Sequence, residues 1–395
     1  MAAKSRPSPF YDLNRICSKA ICCVERTHPR LAGGDIMPVT TGMKPHGFYN
    51  QHSAPQLQSI TAVLPWLLEA ISSINFSDAK GPVLVADFGA SEGRNSVAAM
   101  RQVVPAIRAR TERPIQVILS DLATSDFNQL FVNLMPGGQS AFAEPDVYLA
   151  AVGGSMFDQL LPGGTVTIAT TYNAIGFLSR KPPVDLPNYI LPMGPSRPRA
   201  GIGVSSEVRQ AYAAQAAEDL RNFYRARAAS MVRGGKLLVA SFGVGEQHRC
   251  CDRIYDLLND ALLDLVEEGR IGQADHERLV FPIYFRSVAE LIAPIHGSSR
   301  DPSCPFKLER AESMEVPVPF NEEFESSKDL ETYASEQTGF LRAFSEPIVR
   351  LCFASLHDLE DVIERLYQRV RSRLIERRED YVFRYVQVAA LLTHQ

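Results

Sequence analysis

Short apolar runs alternate, over the first 245 residues, with longer stretches whose apolar positions recur every three or four residues. This alternation is typical of an α/β protein whose parallel sheet carries helices on both faces. The apolar runs predict strands at residues 83–88, 115–119, 147–152, 165–171 and 236–242. The periodic stretches predict helices at residues 56–74, 96–110, 126–134 and 205–232. The first of these contains Pro65, which should kink or divide it.

Helical periodicity dominates after residue 245. It predicts helices at residues 251–267 and 358–393, separated by a loop-rich stretch with one short strand near 306–308. Such helical caps usually close one wall of a small-molecule pocket. The Pro- and Gly-rich segment 188–203 is either a mobile flap over that pocket or an ordinary surface loop.

These patterns divide the chain into four parts. Residues 1–40 mix Pro, Arg, Cys and Gly without a period, apart from a short helical stretch near 13–23, and we expect a flexible extension. The other parts are an α/β core, a mainly helical cap and a C-terminal helix packed on the core, at residues 41–245, 246–350 and 351–395. Within the core, residues 41–75 are expected to contribute to the binding site.

Composition narrows the class of protein. The 395-residue chain has a formal net charge of −4 and no long basic block, which disfavours non-specific nucleic-acid binding. Its seven cysteines form no C-x-x-C pair and no cluster with histidine, so we expect reduced thiols and no metal site. No apolar stretch approaches the roughly 20 residues that span a bilayer. A soluble cytoplasmic protein without a membrane partner is predicted.

The sequence VLVADFGASEGRN, residues 83–95, is the main candidate for ligand binding. It ends a predicted strand in an acid and a glycine-bounded turn, then begins a helix. Gly89 allows a ligand to approach the backbone, and a helix start offers unpaired N–H groups. The dinucleotide fingerprint and the Walker sequence are both absent, which disfavours a nicotinamide or a triphosphate. The remaining candidate is a nucleoside ligand without phosphates, and S-adenosylmethionine is the commonest cofactor of that kind.

Several motifs follow one another in a recognisable order. They are MK with GFYNQHS and Gln56, ADFGASEGRN, SDL with DFN and Phe131, GGSMF, TTY with FLS, and RAFSEP, at residues 43–56, 86–95, 120–131, 153–157, 170–179 and 342–347. This order resembles the SABATH carboxyl methyltransferases, which methylate small acids, and also include N-methyltransferases of the caffeine pathway. The most specific match is to the family pattern N-D-L-P-x-N-D-F-N-x-x-F, and the resemblance covers the chain from about residue 42 onward.

The resemblance implies a set of residues that bind S-adenosylmethionine. They are Tyr49, Ser53, Asp87, Gly89, Asn95, Asp121, Leu122, Ser155 and Met156. Asp121 would accept the ribose hydroxyls, with Leu122 against the adenine and Ser155 and Met156 beside the purine. A carboxylate after a strand can accept both hydroxyls, although Asp121 could also simply cap a helix.

A second implied set lines the pocket of the methyl acceptor. It comprises Lys44, Gln56, Tyr172, Phe177, Tyr284 and Phe344. Lys44 and Gln56 match positions that contact the acceptor carboxylate, but a solvated surface lysine is also compatible with Lys44. The family's pocket tryptophan is missing, replaced by Phe177 or by Gly176, and the only tryptophan of this chain is Trp66.

The predicted activity is methyl transfer from S-adenosylmethionine to the carboxylate of a small apolar or aromatic acid, giving a methyl ester. A carboxylate is already ionised at neutral pH, so positioning suffices and no catalytic base is predicted. The alternatives are N- or phenol O-methylation, for which His52 could serve as a base, and a non-catalytic relative that binds a ligand or partner. A nicotinamide oxidoreductase is more distant. The family's tendency to dimerise implies a homodimer.

Overall fold

The computed structural model describes residues 39–77, 81–184, 186–199, 202–296 and 300–395. The predicted helix near 13–23 and all but the last two residues of the predicted extension lie outside these ranges. The described strands, β1 to β7, are Val83–Phe88, Ile115–Asp121, Val147–Gly153, Val166–Tyr172, Met231–Phe242, Phe306–Val316 and Tyr385–His394. The described helices, α1 to α11, are Phe48–His52, Ala54–Ile71, Arg94–Arg108, Phe127–Leu134, Ser206–Ser230, Asp252–Glu267, Gln273–Arg278, Val288–Ile292, Pro319–Ser327, Leu330–Cys352 and Leu359–Arg377.

The seven described strands form one sheet in the order β3-β2-β1-β4-β5-β7-β6. Strands β1 to β5 are parallel, whereas β7 pairs antiparallel with both β5 and β6. The strand order reverses direction between β1 and β4. In open α/β sheets, ligands bind beyond the carboxyl ends of the strands at such a reversal. The predicted α/β class is therefore confirmed, with the antiparallel strand β7 added to the parallel sheet.

Helices cover both faces of the sheet. On one face α2 and α3 pack against the strands, for example through Leu64 and Met100. On the other face α5 and α8 do so, through Phe223 and Leu291. A third apolar cluster joins α6, α9, α10 and α11 and includes Phe344. This cluster corresponds to the predicted helical cap, and it extends into α11.

The C-terminal prediction was wrong in its second half. A helix was expected over residues 358–393, but α11 ends at Arg377 and β7 begins at Tyr385. All but one of the β7 residues are buried, since the strand lies between two neighbours and under helices on both faces. A continuous apolar run of this kind looks the same in a buried helix and in a buried strand, so periodicity could not separate them.

Two further elements differ from expectation. Strand β6 extends from Phe306 to Val316, much longer than the predicted 306–308. Most of its exposed residues are charged, as is common on an edge strand, so the sequence lacks the apolar run by which the other strands were recognised. Helix α2 continues through Pro65 without division. No helix of the described ranges is both long and apolar enough to cross a membrane.

The Pro- and Gly-rich segment is anchored where it is described. Tyr189, Ile190 and Leu191 are buried in the same cluster as α6. The Tyr189 hydroxyl donates to Asp256 at 2.5 Å, and Arg249 donates to the carbonyls of Met193 and Gly194. These contacts fix residues 189–194 in place, so in this structure they form neither an open flap nor a loosely attached surface loop.

Candidate active site

A cavity of about 280 Å³ lies at the carboxyl edge of the parallel strands, next to the helical cluster of α6 and α10. Residues that follow or end β1 to β5 form its floor, and the start of the antiparallel β7 lies at the same edge. One end is lined by Gly89, Ser91, Ser120, Asp121, Leu122, Gly154, Ser155, Met156 and Phe157. The other end is mainly aromatic, with Tyr172, Phe177, Phe242, Tyr255, Phe340, Phe344 and Tyr385. The lining residues nearest the N-terminus of the chain are Val39, Thr40, Gly42, Met43 and Tyr49.

Gly89 shapes the turn after β1. Its φ of +91° is a left-handed conformation that favours glycine. A Cβ added to Gly89 would overlap the Cβ of Ala174, which follows β4. The loops after β1 and β4 can therefore approach closely only because residue 89 has no side chain.

Asp121 ends β2 with its carboxylate in a dense set of donors. Its Oδ2 accepts the Ser91 N–H at 2.7 Å, and its Oδ1 accepts the Leu122 N–H at 2.7 Å and the Ser125 hydroxyl at 2.5 Å. Burial raises the pKa of Asp121 above its ordinary value, while these hydrogen bonds partly offset the increase. A carboxylate oxygen can accept more than one hydrogen bond, so Asp121 can still receive hydroxyl donors from a ligand in the cavity.

Four polar atoms at the cavity are buried without any partner. They are Gln56 Oε1, Ser120 Oγ, Tyr172 OH and Asn173 Oδ1. Burying a polar atom without a hydrogen bond costs about 1–3 kcal/mol, so such atoms are rare unless a ligand satisfies them. Asp121 is the only charged side chain among the described residues that line the cavity. The cavity thus suits a polar nucleoside at one end and a largely apolar molecule with a few polar atoms at the other.

A protein-family model described as SAM-dependent carboxyl methyltransferase matches residues 37–395. The chain belongs to this family. The resemblance to the SABATH enzymes is thereby confirmed, as is S-adenosylmethionine as the methyl donor.

The relatives of this carboxyl methyltransferase agree with that assignment. Gibberellic acid methyltransferase 2 of Arabidopsis thaliana is 27% identical over 354 residues, covering 84% of this chain and 87% of the relative. Probable caffeine synthase MTL1 of Coffea canephora is 28% identical over 266 residues, covering 62% and 67%. A solved structure of loganic acid methyltransferase with SAH has a TM-score of 0.72 at 22% identity, covering 92% of this chain and 98% of that one, and supports the fold.

The carboxyl methyltransferase brings ten of the fifteen predicted binding residues to the cavity wall. They are Tyr49, Gln56, Gly89, Asp121, Leu122, Ser155, Met156, Tyr172, Phe177 and Phe344. Between the two candidates for the missing tryptophan, Phe177 lies in the wall. Gly176 does not line the cavity. The Phe242 ring packs so closely on Gly176 that any side chain at this position would overlap the ring.

Lys44 is placed differently from the expectation. Its Nζ lies 2.6 Å from Glu346 Oε1, and it does not line the cavity. Glu346 is buried and also accepts from Arg342 and Arg350, at 2.5 and 2.7 Å. Because the Lys44 ammonium is paired with this carboxylate, it is not available to the acceptor in this structure.

Tyr284 also lies away from the cavity wall. Its hydroxyl donates to Glu290 Oε1 at 2.7 Å, and its ring packs beside the small cluster that includes Leu178 and Tyr212. The alternative base, His52, stacks on Phe48 with ring centroids 4.2 Å apart and lies against Gly339. His52 is not among the cavity residues, so no base role follows from its position.

Asp87, Ser53 and Asn95 stand behind the wall rather than in it. Asp87 accepts from Ser96 at 2.5 Å and from Thr170 at 2.6 Å, joining β1 to α3 and β4. Burial raises the pKa of Asp87 to about 6, although the two hydrogen bonds act against the increase. Asn95 Nδ2 donates to Ser53 Oγ at 3.1 Å and so connects α3 to the start of α2. These residues support the cavity from outside.

Sequence reasoning missed two kinds of residue. Glu92 is buried and accepts the N–H groups of Gly47 and Asn50, at 2.7 and 3.1 Å, so it holds α1 and therefore Tyr49. The missed cavity residues include Phe242, Cys251, Tyr255, Phe340 and Tyr385. Two of these could have been predicted from the sequence. Phe340 lies one helical turn before Phe344 and so shares its face of the helix, and Phe242 is at the carboxyl end of a parallel strand.

Proposed function

We propose that this methyltransferase esterifies a small, largely apolar acid whose carboxylate meets Gln56 and Tyr172. The buried, unpartnered atoms Gln56 Oε1 and Tyr172 OH carry this proposal. The Gln56 amide can rotate to present its N–H₂ group, and the tyrosine can donate its hydroxyl proton, so both can satisfy an anion. The apolar part of the acid would pack among rings such as Phe177, Tyr255 and Phe344.

The cofactor end is proposed to bind S-adenosylmethionine through Asp121 on the ribose and through Leu122, Ser155 and Met156 around the adenine. Tyr49 would cover the methionine end, while Asp87, Ser53 and Asn95 would hold the surrounding loops. The fit rests on the remaining acceptor capacity of Asp121 and on the unpartnered Ser120 hydroxyl beside it. When bound, S-adenosylmethionine supplies a methyl group on a sulfonium cation, and its transfer to a carboxylate yields a neutral ester without moving a proton.

The neutral wall supports the reaction in two ways. It excludes water, and a desolvated carboxylate is attracted more strongly to a nearby cation because the local dielectric constant is low. Since no basic side chain of the described residues lines the cavity, the positive charge of the methyl donor is the natural counter-ion of the acid. The residues then act by positioning, which can contribute roughly 7–11 kcal/mol in ideal cases.

The names of the relatives suggest which acids to test. Two of them, the gibberellic acid and loganic acid enzymes, are named for acids, whereas the caffeine synthase is not. We include oxygenated polycyclic acids with simple aromatic, indolic and fatty acids. N-methylation and phenol O-methylation have less support, because they benefit from a base and His52 is not in the wall. Homodimerisation and a cytoplasmic location stay predictions from the sequence.

The test uses purified full-length protein, methyl-labelled S-adenosylmethionine and this panel of acids. Label in an organic-extractable ester would support the proposal and rank the acceptors. Label confined to N-methyl or phenol ether products would contradict it.

A matched pair of variants tests the role of the Tyr172 hydroxyl. Tyr172→Phe should reduce kcat/KM for the acid about tenfold, because one donor to a charged group is lost. Tyr212→Phe removes another buried, unpartnered hydroxyl, but outside the cavity, and should leave kcat/KM unchanged. Equal effects of the two substitutions would contradict a carboxylate contact at Tyr172.

A further inference from the structure

The missing pocket tryptophan leaves a chemical gap in the acceptor site. An indole offers an N–H donor, whereas Phe177 offers none. A carboxylate taken from water into an apolar cavity needs hydrogen bonds to replace its hydration. No lysine, arginine or histidine lines the cavity among the described residues. Another neutral donor in the wall would fill the gap.

Asn173 lies where such a donor is needed. It directly follows Tyr172, the last residue of β4, and precedes Ala174, the residue in close contact with the Gly89 turn. It therefore stands at the junction between the two ends of the cavity. Asn173 is one of the residues that line the cavity, only 8% of it is exposed, and its side-chain Oδ1 is buried without a partner.

The other half of the Asn173 amide is held by Ser59. Asn173 Nδ2 donates to Ser59 Oγ at 3.1 Å. Ser59 is buried on α2 one turn after Gln56, so the Asn173 amide lies near the face of α2 that carries Gln56. Ser59 can also donate, because a hydroxyl is both donor and acceptor. Rotation of the amide by 180° about χ2 would let Oδ1 accept from Ser59 and turn the N–H₂ group into the cavity.

The backbone at Asn173 is also unusual. Its φ is +65°, in the left-handed region that few residues other than glycine adopt, and asparagine is among the most tolerant of it. Its N–H donates to the Ala240 carbonyl at 2.8 Å, which fixes this conformation against β5. The short left-handed turn thus directs a side chain with two polar atoms to the place where strand β4 ends.

We propose that Asn173, oriented by Ser59, is a third donor to the acceptor carboxylate, beside Gln56 and Tyr172, and replaces the indole N–H that this chain lacks. Asn173 is therefore a specificity-determining residue for acids over neutral acceptors. This inference rests on the proposed carboxylate acceptor.

The experiment compares Asn173→Asp with the wild-type enzyme, using the best acid from the panel and its methyl ester. The introduced carboxyl group has the same shape but repels a carboxylate and cannot donate when ionised. We expect the dissociation constant of the acid to rise at least tenfold, and that of the ester to change less than threefold. The affinity for S-adenosylmethionine, measured by calorimetry, should not fall, because the introduced negative charge lies on the side of the sulfonium cation. Lowering the pH should partly restore acid binding, as the introduced group becomes protonated.

Two further variants serve as controls. Asn188→Asp makes the same change at another left-handed asparagine, which lies outside the cavity and accepts from Gln273, and it should alter neither affinity. Ser59→Ala keeps Asn173 but removes the group that orients it, and it should weaken acid binding by a smaller factor than Asn173→Asp.

The outcomes separate the two proposals. Suppose that the wild type esterifies an acid, but Asn173→Asp binds acid and ester in the same affinity ratio as the wild type. This result would overturn the role of Asn173 and leave the proposed carboxylate acceptor intact. An equal loss of affinity for acid and ester would show a merely structural role and would also overturn it. If the wild type esterifies no acid although it binds S-adenosylmethionine, the proposed carboxylate acceptor itself fails.

Discussion

Lys44 Nζ lies 2.6 Å from Glu346 Oε1, although the two residues are 302 positions apart in the chain. The Lys44 N–H also donates to the Ala343 carbonyl at 2.8 Å. The segment before α1 is thereby attached to α10 at two points. Since this segment continues into Tyr49, and Val39, Thr40, Gly42 and Met43 line the cavity, the ion pair and the backbone hydrogen bond together hold this part of the cavity wall.

Lys44→Met should lower stability and leave acid recognition intact. Glu346 is buried and would lose one of its three cationic partners, so we expect unfolding to become easier by about 1.5–3 kcal/mol, with an unchanged KM for the acid. Urea denaturation and steady-state kinetics measure the two quantities. Lys307→Met, which breaks an exposed pair with Glu309, should change stability by less than about 1 kcal/mol. A higher KM at unchanged stability would return Lys44 to the acceptor site.

Asp121→Asn should weaken S-adenosylmethionine binding at least about tenfold, because an amide cannot accept at both atoms and loses the charge-assisted bonds to the ribose. Isothermal calorimetry with S-adenosylmethionine measures the change directly. Asp126→Asn is the matched control, since Asp126 caps α4 through the Gln129 N–H and does not line the cavity. Equal affinities in the two variants would contradict the assignment of Asp121.

Gly89→Ala should damage both stability and cofactor binding. Residue 89 has a left-handed backbone conformation, and the new Cβ would also overlap Ala174. Gly81→Ala is the matched control, because Gly81 has nearly the same φ, +89°, but a Cβ added there has no atom within 4 Å. Backbone strain alone costs about 1 kcal/mol, so Gly81→Ala reports that cost and Gly89→Ala should exceed it. Adding Ala174→Gly should recover part of the difference in thermal unfolding. No recovery in the double variant would show that the overlap is not the cause.

The contribution of Asp87 to the free energy of unfolding should fall as the pH rises from about 4 to about 6. Burial raises its pKa to about 6 in the folded protein, despite hydrogen bonds from Ser96 and Thr170, while an unfolded aspartate titrates near 3.9. The folded state thus binds more protons in this window, so the contribution of Asp87 is most favourable below pH 4, is lost on passing to pH 6, and is constant above it. The whole change is roughly 3 kcal/mol.

The measurement compares wild type with Asp87→Asn by urea denaturation from pH 4 to pH 7. The amide can still bond Ser96 and Thr170 but does not ionise. We therefore expect the stability of the wild type relative to the variant to fall as the pH rises to 6. A pH-independent difference would mean that Asp87 titrates near its ordinary pKa in the folded protein.

Local sequence determined the parallel strands and the loops that form the floor of the cavity. The strands β1 to β4, the Gly89 turn and Asp121 at the end of β2 were all predicted within a few residues, because each depends on a short run of neighbours: an apolar strand, a small-residue turn and a helix start. The residues at the carboxyl ends of parallel strands must then meet at one edge. That is why Gly89, Asp121, Leu122, Ser155, Met156 and Tyr172 came together there, whereas Tyr49, Gln56 and Phe344 reach the cavity from helices.

Only the tertiary structure decided the rest. The apolar run from Tyr385 to His394 is a strand because a gap between β5 and β6 accepts it, not because of its own pattern. Lys44 forms an ion pair with Glu346, 302 positions away, instead of lining the cavity. Tyr284 also lies outside the cavity, where its hydroxyl donates to Glu290. Tyr255 and Tyr385 reach the cavity from α6 and β7, elements with no signal of that position. Periodicity records which face of an element is apolar, but which element that face meets is set by packing between distant parts of the chain.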